Sequence, residues 1–193
     1  MLLCVLTGNL SYVANPCFDS NSGLCVNCYN LDMFQKTLDI VSRIHKVLIM
    51  RGATISVAES CTGGMLSHLL TLLPGSSAFF VTGIVVYSGK SKKKILGISS
   101  KTLTSYGVVS SETAKEMAEK VRALTGTDFS IATTGNLGPN AIEGKERGLI
   151  YIAVSGSFGT EVRALRLSGD RQANKEAASL QALKFLLEAL KAA

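Results

Sequence analysis

The stretch SVAESCTGG, residues 56–64, places several reactive side chains where a predicted strand gives way to a predicted helix. Its last six residues are one carboxylate, three small hydroxyl or thiol side chains and two glycines: Glu59, Ser60, Cys61, Thr62, Gly63 and Gly64. The first turn of a helix points unpaired backbone N–H groups at whatever lies before it, which favours an anion or an oxyanion there. Ser60 is therefore either a nucleophile or a helix cap.

A serine nucleophile needs a group that accepts its proton. The histidines, His45 and His68, lie on predicted helices, and neither is placed for a Ser-His-Asp triad. The alternative is a phenol or an amine of lowered pKa, supplied by Tyr87 or by one of the lysines that follow it. These lysines are Lys90, Lys92, Lys93 and Lys94. On charge pattern alone the cluster also fits a solvated basic surface, so the choice of base stays open.

Other chemistries find less support in the sequence. Cys61 is an alternative nucleophile, although a small buried cysteine is the competing interpretation. GPNAIEGK resembles a phosphate-binding loop, but its spacing is one residue too long and Glu146 occupies the Ser/Thr position. Residues 33–193 contain no HExxH motif, no clustered aspartate pair and no Cys/His ligand set. We therefore expect neither a metal nor an organic cofactor.

Composition narrows the class of protein. The chain has 193 residues, of which 47% are hydrophobic and 18% charged, and these values are typical of a globular protein. Its net charge of +6 favours anionic partners. Aromatic residues make up only 6%, and the basic residues are spread along the chain, which argues against a nucleic-acid interface. No window approaches 18 uncharged apolar residues, so no membrane span is expected.

The amino-terminal segment differs from the rest of the chain. Residues 1–35 contain no Lys or Arg but four of the five cysteines, namely Cys4, Cys17, Cys25 and Cys28. We interpret residues 1–32 as an atypical extension, disordered or not translated, and residues 33–193 as the functional domain. A zinc site built on CVNC is the alternative. Cys61 is then the one cysteine of the main domain, which fits a reducing cytoplasm.

Hydrophobic periodicity predicts alternating helices and strands. Helices are predicted at 34–50, 63–73, 99–107, 111–124 and 172–191, and strands at 53–59, 83–88, 128–134, 149–155 and 161–167. Strands separated by helices pair in parallel, whereas the two late strands joined by a short turn pair antiparallel. The prediction is a mixed, mostly parallel sheet of about five strands between helical layers. The loops ESCTGG, YSGKSK and TTGNLGPN follow strands and should meet at one edge, where ligands bind.

Five segments together resemble the C-terminal domain of the competence/damage-inducible protein CinA over about residues 36–190. They are AESCTGG, GSSAFFVTGIVVYSGKSKKKILGI, YGVVSSETAKEMA, TTGNLGP and GLIYIAVS. The characterised enzymes of that family are nicotinamide mononucleotide deamidases of pyridine nucleotide salvage. The resemblance implies a three-layer α/β/α sandwich, a homo-oligomer, a nucleophile at Ser60, and catalytic partners at Tyr87 and Lys92.

The resemblance further implies an amidohydrolase that converts nicotinamide mononucleotide to nicotinic acid mononucleotide and ammonia, with no cofactor. N–H groups around Thr62 to Gly64 would hold the oxyanion. The expected substrate-binding residues are Glu59, Thr62, Gly63, Gly64, Gly75, Ser76, Ser77, Thr134, Gly135, Gly138 and Pro139. The family loop usually continues GP-x-GG, whereas this chain reads GPNAIEGKERG. A catalytically inactive relative that binds a nucleotide or a protein partner is the alternative function.

Overall fold

The computed structural model describes the backbone of residues 26–193 and the side chains from Phe34 onward. The described helices are α1 (Val26–Arg51), α2 (Met65–Leu70), α3 (Gly89–Leu96), α4 (Ser100–Tyr106), α5 (Ser111–Thr125) and α6 (Arg171–Ala192). The described strands are β1 (Ile55–Glu59), β2 (Phe80–Val85), β3 (Phe129–Gly135), β4 (Leu149–Gly156) and β5 (Gly159–Arg166). A short 3-10 turn, Ser76–Ala78, precedes β2. Asp39–Ala193 forms a compact unit, and the fold below is that of this unit.

The five strands form one mixed sheet in the order β2-β1-β3-β4-β5. β1 runs parallel to β2 and β3, because helices return the chain to the same edge before each new strand. β4 and β5 pair antiparallel and are joined by a short turn between Gly156 and Gly159. The sheet thus has two parallel and two antiparallel pairings. This confirms the predicted mixed sheet of about five strands.

Helices cover both faces of the sheet. Along β1, Ile55 and Val57 point into the core shared with α1 and α6, whereas Ala58 points into the core shared with α5. This alternation is the two-residue period of a strand buried on both faces. The first core includes Leu183 and Leu186 of α6, and the second includes Met117 and Val121 of α5. The predicted three-layer α/β/α class is confirmed.

The first helix begins at Val26 rather than at Phe34. VNCYNLDM contains neither Pro nor Gly, so nothing in it ends a helix that is already formed. The predicted boundary at Met33 therefore falls inside α1. The side chains of residues 1–33 lie outside the described part of the chain, and the extension and its zinc alternative stay predictions.

The second strand and the helix after it differ from the prediction. β2 covers Phe80–Val85, three residues earlier than expected, and the basic stretch GKSKKKIL forms α3. Ser88 leaves the sheet because it caps α3: its side chain accepts from Ser91 N–H, and the Ser91 side chain accepts from Ser88 N–H, both at 3.0 Å. This reciprocal cap usually has Glu or Gln in the position of Ser91, so the sequence pattern was missed.

We expect Leu183→Ala to lower the free energy of unfolding by about 2–5 kcal/mol, because the fully buried side chain would leave a cavity. Leu124→Ala is the matched control, since Leu124 lies on α5 with 62% of its surface exposed. Urea denaturation measures both changes. Similar losses in the two variants would contradict the assignment of this core.

Candidate active site

The turn after β1 carries Ser60 at the carboxyl edge of the sheet. Ser60 still takes part in the hydrogen bonding between β1 and β3, because its N–H donates to the Thr133 carbonyl at 3.0 Å. Gly63 and Gly64 then adopt φ angles of +55° and +96°, a left-handed conformation that glycine takes without steric cost. The chain enters α2 directly after them. Ser60 is thereby held at the end of a buried strand.

The fully buried carboxylate of Glu59 organises this turn. Its Oε2 accepts from Thr62 Oγ1 at 2.6 Å and from the N–H groups of Gly64 and Leu66 at 3.0 and 3.1 Å. Its Oε1 accepts from the N–H and the hydroxyl of Ser67 at 2.9 and 2.7 Å. The residue in the cap position of α2, Gly64, has no side chain to satisfy these donors. Glu59 therefore caps α2 from the preceding strand.

Ser60 faces one of the clustered lysines. Lys92 Nζ on α3 donates to Ser60 Oγ at 2.7 Å and to the Val86 carbonyl at 2.9 Å. Lys92 is only 1% exposed, whereas Lys90, Lys93 and Lys94 are exposed. The structure thus separates one buried lysine from a basic surface, which the charge pattern alone could not do, and the buried lysine is the one that the family resemblance indicated.

Burial changes the acid–base properties of the amine. It lowers the pKa of Lys92 from its ordinary 10.5 to about 8, because the ammonium form loses solvation, while Cys61 and Glu143 act in the opposite direction. A neutral amine is therefore accessible near neutral pH. Such an amine can accept the proton of the serine hydroxyl that it contacts.

Cys61 does not have the properties of a nucleophile in this site. Burial raises the pKa of the Cys61 thiol to about 12, and a hydrogen bond with Thr133 only partly offsets this effect. The thiolate is the reactive form of cysteine. The protonated thiol therefore fits the interpretation of a small buried side chain.

A cavity opens at Ser60, on the carboxyl edge of the parallel strands. Its lining is partly apolar and partly polar: Ser60, Cys61, Tyr87, Val108, Val109, Thr134, Gly135, Leu137, Ile142 and Arg171. Ser60, Tyr87, Thr134 and Gly135 were predicted from the sequence. The three loops predicted to follow strands thus do meet at one edge.

Tyr87 lies in this cavity but is paired with a different group. Its side chain is 58% exposed, and its hydroxyl accepts from the Arg171 guanidinium. In the described structure it shares no hydrogen bond with Ser60 or Lys92. A direct catalytic role for Tyr87 therefore stays a prediction.

The predicted substrate-binding residues divide into four groups, three of which lie at this edge of the sheet. Thr134 and Gly135 line the cavity, and Gly138, which precedes Pro139, contributes its carbonyl as the acceptor for Arg171 at 2.7 Å. The side chains of Glu59 and Thr62 are turned toward each other and α2. The remaining glycines of the turn, Gly63 and Gly64, shape its backbone as described above.

Gly75, Ser76 and Ser77 are not brought to this site within the chain. They precede β2, and β2 runs parallel to β1, so they lie at the opposite edge of the sheet from Ser60. Within one chain they therefore do not wall this cavity, and their part in substrate binding stays a prediction. The cause is the helical connection through α2, which returns the chain to the amino edge before β2 begins.

Sequence reasoning missed Arg171 and the apolar wall of the cavity. Arg171 is the first residue of α6, directly after its cap Asp170. The direction of the strands could have located it: β4 and β5 reverse the chain twice, so α6 must start at the same edge where β3 ends. For Val108 and Ile142, which lie in loops, the sequence offered no comparable indication.

The described residues do not assemble a metal site. From residue 34 onward, no three His, Cys, Asp or Glu side chains are grouped in a way that could hold a metal ion. His45 is buried, and its Nε2 donates to the Leu70 carbonyl at 2.9 Å.

None of the described helices is both long and apolar enough to cross a membrane.

Fold and site together define a class: an α/β/α domain with a buried serine–lysine pair at the carboxyl edge of a mixed sheet. The chain belongs to the CinA C-terminal domain family, whose model matches residues 37–190. The predicted family is thereby confirmed.

Relatives of known name or structure agree with this assignment. A putative competence-damage inducible protein of Acetivibrio thermocellus is 51% identical over 127 residues, which are 65% of this chain and 31% of that protein. The chain thus spans about a third of the length of the curated relatives it matches. A CinA superfamily protein from Klebsiella pneumoniae is 32% identical with a TM-score of 0.79, over 81% of this chain and 99% of that one. A competence or damage-inducible protein from Enterobacter asburiae is 35% identical with a TM-score of 0.78, over 80% of this chain and 98% of that one.

We expect Glu59→Ala to lower the free energy of unfolding by at least about 3 kcal/mol, because three backbone N–H groups would each lose a buried acceptor. The control is Glu119→Ala, which removes an exposed carboxylate 4.0 Å from Lys115 and should cost no more than about 1 kcal/mol. Thermal and urea denaturation compare the two. If both variants were equally stable, Glu59 would not be the cap of α2.

Proposed function

We propose that the chain is an amidohydrolase that removes the carboxamide nitrogen of nicotinamide mononucleotide as ammonia. The observation that carries the proposal is the 2.7 Å contact between Lys92 Nζ and Ser60 Oγ. It joins a nucleophile at a strand end to a buried amine whose pKa is lowered to about 8. Membership of the CinA C-terminal domain family supports it, since the resemblance noted above implies this reaction.

Acyl transfer then proceeds in two steps. The neutral amine of Lys92 takes the proton of the Ser60 hydroxyl while Oγ attacks the carboxamide carbon. The tetrahedral intermediate collapses as Lys92 returns the proton to the departing nitrogen, so ammonia leaves and an acyl ester remains on Ser60. A water molecule, deprotonated by the same amine, hydrolyses that ester. The products are nicotinic acid mononucleotide and the free serine.

The backbone after Ser60 supplies donors for the oxyanion. The N–H groups of Gly63 and Gly64 donate within the turn, to the Ser60 carbonyl and to Glu59. Those of Cys61 and Thr62 donate to no backbone carbonyl among the described residues. The residue directly after the nucleophile is the one that receives an oxyanion in comparable strand–turn–helix sites. In this proposal Cys61 N–H therefore takes the role first assigned to the stretch from Thr62 to Gly64.

The two walls of the cavity match the two ends of the substrate. Val108, Val109, Leu137 and Ile142 offer an apolar surface for the flat face of a pyridine ring. The cationic side chains that would bind the polar end of the substrate belong to α6. Its first residue, Arg171, lines the cavity, and Lys175 Nζ, one helical turn later, lies 3.5 Å from where a Cβ of Gly63 would be. Two cations at a helix amino terminus suit the 5′-phosphate.

Ser60→Ala should lower deamidation of nicotinamide mononucleotide by at least about a thousandfold while the protein stays folded, because only the attacking oxygen is lost. Lys92→Met should have a comparable effect, since methionine fills the buried space but accepts no proton. Ammonia release measures activity, and thermal denaturation checks the fold.

The exposed lysines provide matched controls. Lys90→Met, Lys93→Met and Lys94→Met should each change activity less than about threefold, as expected for solvated charges. Equal losses in all four lysine variants would indicate an electrostatic surface and refute a specific base at Lys92. A wild-type protein that binds the nucleotide without releasing ammonia would favour the inactive binding protein.

The pH dependence follows from the lowered pKa of Lys92. Because the neutral amine is the active form, kcat/KM should rise with pH below 8 and level off above it, with an apparent pKa of about 8. The profile is measured between about pH 6.5 and 9.5, where the hydroxyl of Ser60 does not titrate. A profile that is flat over this range, or that falls as pH rises, would contradict the assignment of Lys92 as the base.

A further inference from the structure

The loop between β3 and β4 folds back on itself beside the cavity. Ile142 and Lys145 pair antiparallel, with hydrogen bonds in both directions at 3.2 and 2.8 Å. The two residues between them, Glu143 and Gly144, adopt φ angles of +52° and +71°. Two successive positive φ angles are typical of a two-residue hairpin turn, in which Asn-Gly is the preferred sequence. A glutamate in the first position is locally unfavourable, because its Cβ makes the left-handed conformation costly.

The Glu143 side chain makes a contact that compensates for this local cost. Its Oε2 accepts from Val108 N–H at 2.8 Å, across the gap between the loop and the segment that joins α4 to α5. The carboxylate lies against Gly107, where any Cβ would overlap it. A residue held in an unfavourable backbone conformation persists when the surrounding structure fixes it, and such residues cluster at ligand sites.

This contact joins two walls of the cavity. Val108 and Ile142 both line it. The Val108 peptide is held from both sides, because its carbonyl accepts from Thr134 Oγ1 at 2.6 Å while its N–H donates to Glu143. The segment of Val108 is thus fixed to β3, and Glu143 ties the tip of the loop to that fixed point.

The base of the loop is secured independently of its tip. Asn136 Nδ2 donates to the carbonyls of Asn140 and Lys145 at 2.9 and 3.2 Å, and Asn136 Oδ1 accepts from Gly138 N–H at 2.9 Å. These bonds close the loop but do not orient it toward Val108. Among the described contacts of the loop tip, the Glu143 carboxylate is the one that reaches across the cavity mouth.

We propose that Glu143 is a positioning residue of this site: its carboxylate latches the loop to Val108 N–H and so holds Ile142 as a wall of the cavity. The substrate class that this wall selects is an amide carried on a planar aromatic ring, and that part rests on the proposed function. Glu143 touches neither Ser60 nor the reacting amide. Apart from the effect of its charge on the pKa of Lys92, its contribution should therefore appear in binding and in the order of the loop, not in the chemical step.

Two substitutions separate the latch from the turn. Glu143→Asn keeps, and locally improves, the two-residue turn but is too short to reach Val108 N–H. Glu143→Gln retains the length and one oxygen that can accept the same hydrogen bond. Both remove the negative charge, so any purely electrostatic effect on Lys92 is common to the two. Glu146→Ala is the control, since it removes an exposed carboxylate of the same loop that pairs with Arg166 at 3.1 Å.

Limited trypsin digestion of the 193-residue chain tests the latch without reference to activity. Lys145 and Arg147 provide cleavage sites in the loop. Glu143→Asn should be cut there about tenfold faster than the wild type, whereas Glu143→Gln and Glu146→Ala should stay within about threefold, because hydrogen bonding limits local opening. Cleavage of Glu143→Asn at the wild-type rate would overturn the latch, even if the protein has no deamidase activity.

Steady-state kinetics with nicotinamide mononucleotide test the positioning of the wall. We expect Glu143→Asn to raise KM about tenfold with kcat within about threefold, and Glu143→Gln to restore most of the loss. Equal changes in the Asn and Gln variants, with the same shift of the pH profile, would assign the effect to charge and overturn the proposal. If the wild type releases no ammonia, the proposed function fails, and the digestion result alone decides the role of Glu143.

Discussion

The buried carboxylate of Glu59 is the interaction on which the arrangement of the site depends. A charge in the protein interior is tolerated only when hydrogen bonds replace its lost solvation, and five donors of the turn and of α2 surround this one. Because the same carboxylate belongs to the last residue of β1, it ties the end of the strand to the start of the helix. Ser60 lies between these two anchored points, so its hydroxyl has a defined position.

The amine opposite Ser60 is positioned by a second local device. The reciprocal cap formed by Ser88 and Ser91 starts α3 directly after the sheet, and this places Lys92 one turn later above the carboxyl edge. Its burial is a cost to the fold, since among the described residues the ammonium keeps only the Val86 carbonyl and Ser60 Oγ as acceptors. That cost is also what lowers the pKa of Lys92 and makes a lysine usable as a base. The burial of Lys92 thus lowers the stability of the fold while it increases the fraction of neutral amine.

The rest of the cavity depends on strand direction. Three parallel strands bring their loops to one edge, and the double reversal through β4 and β5 delivers Arg171 to that same edge. The basic residues of the chain consequently differ in where their charges lie. Arg171 faces the cavity, while Lys90, Lys93 and Lys94 remain on the solvated side of α3. An anionic ligand entering the cavity would thus meet one cation already oriented by Tyr87 and Gly138.

The sequence by itself determined the α/β class, the five strands and the choice of Ser60 as the candidate nucleophile, because strand periodicity, glycine turns and reactive side chains are local properties of the chain. It also determined the family, through motifs spread over most of its length. Only the tertiary structure decided which lysine is buried, that Gly75 to Ser77 lie at the far edge, and that Arg171 and Ile142 join the cavity. Burial, strand direction and the pairing of distant loops arise from contacts between residues far apart in the chain, and no short stretch of sequence encodes them.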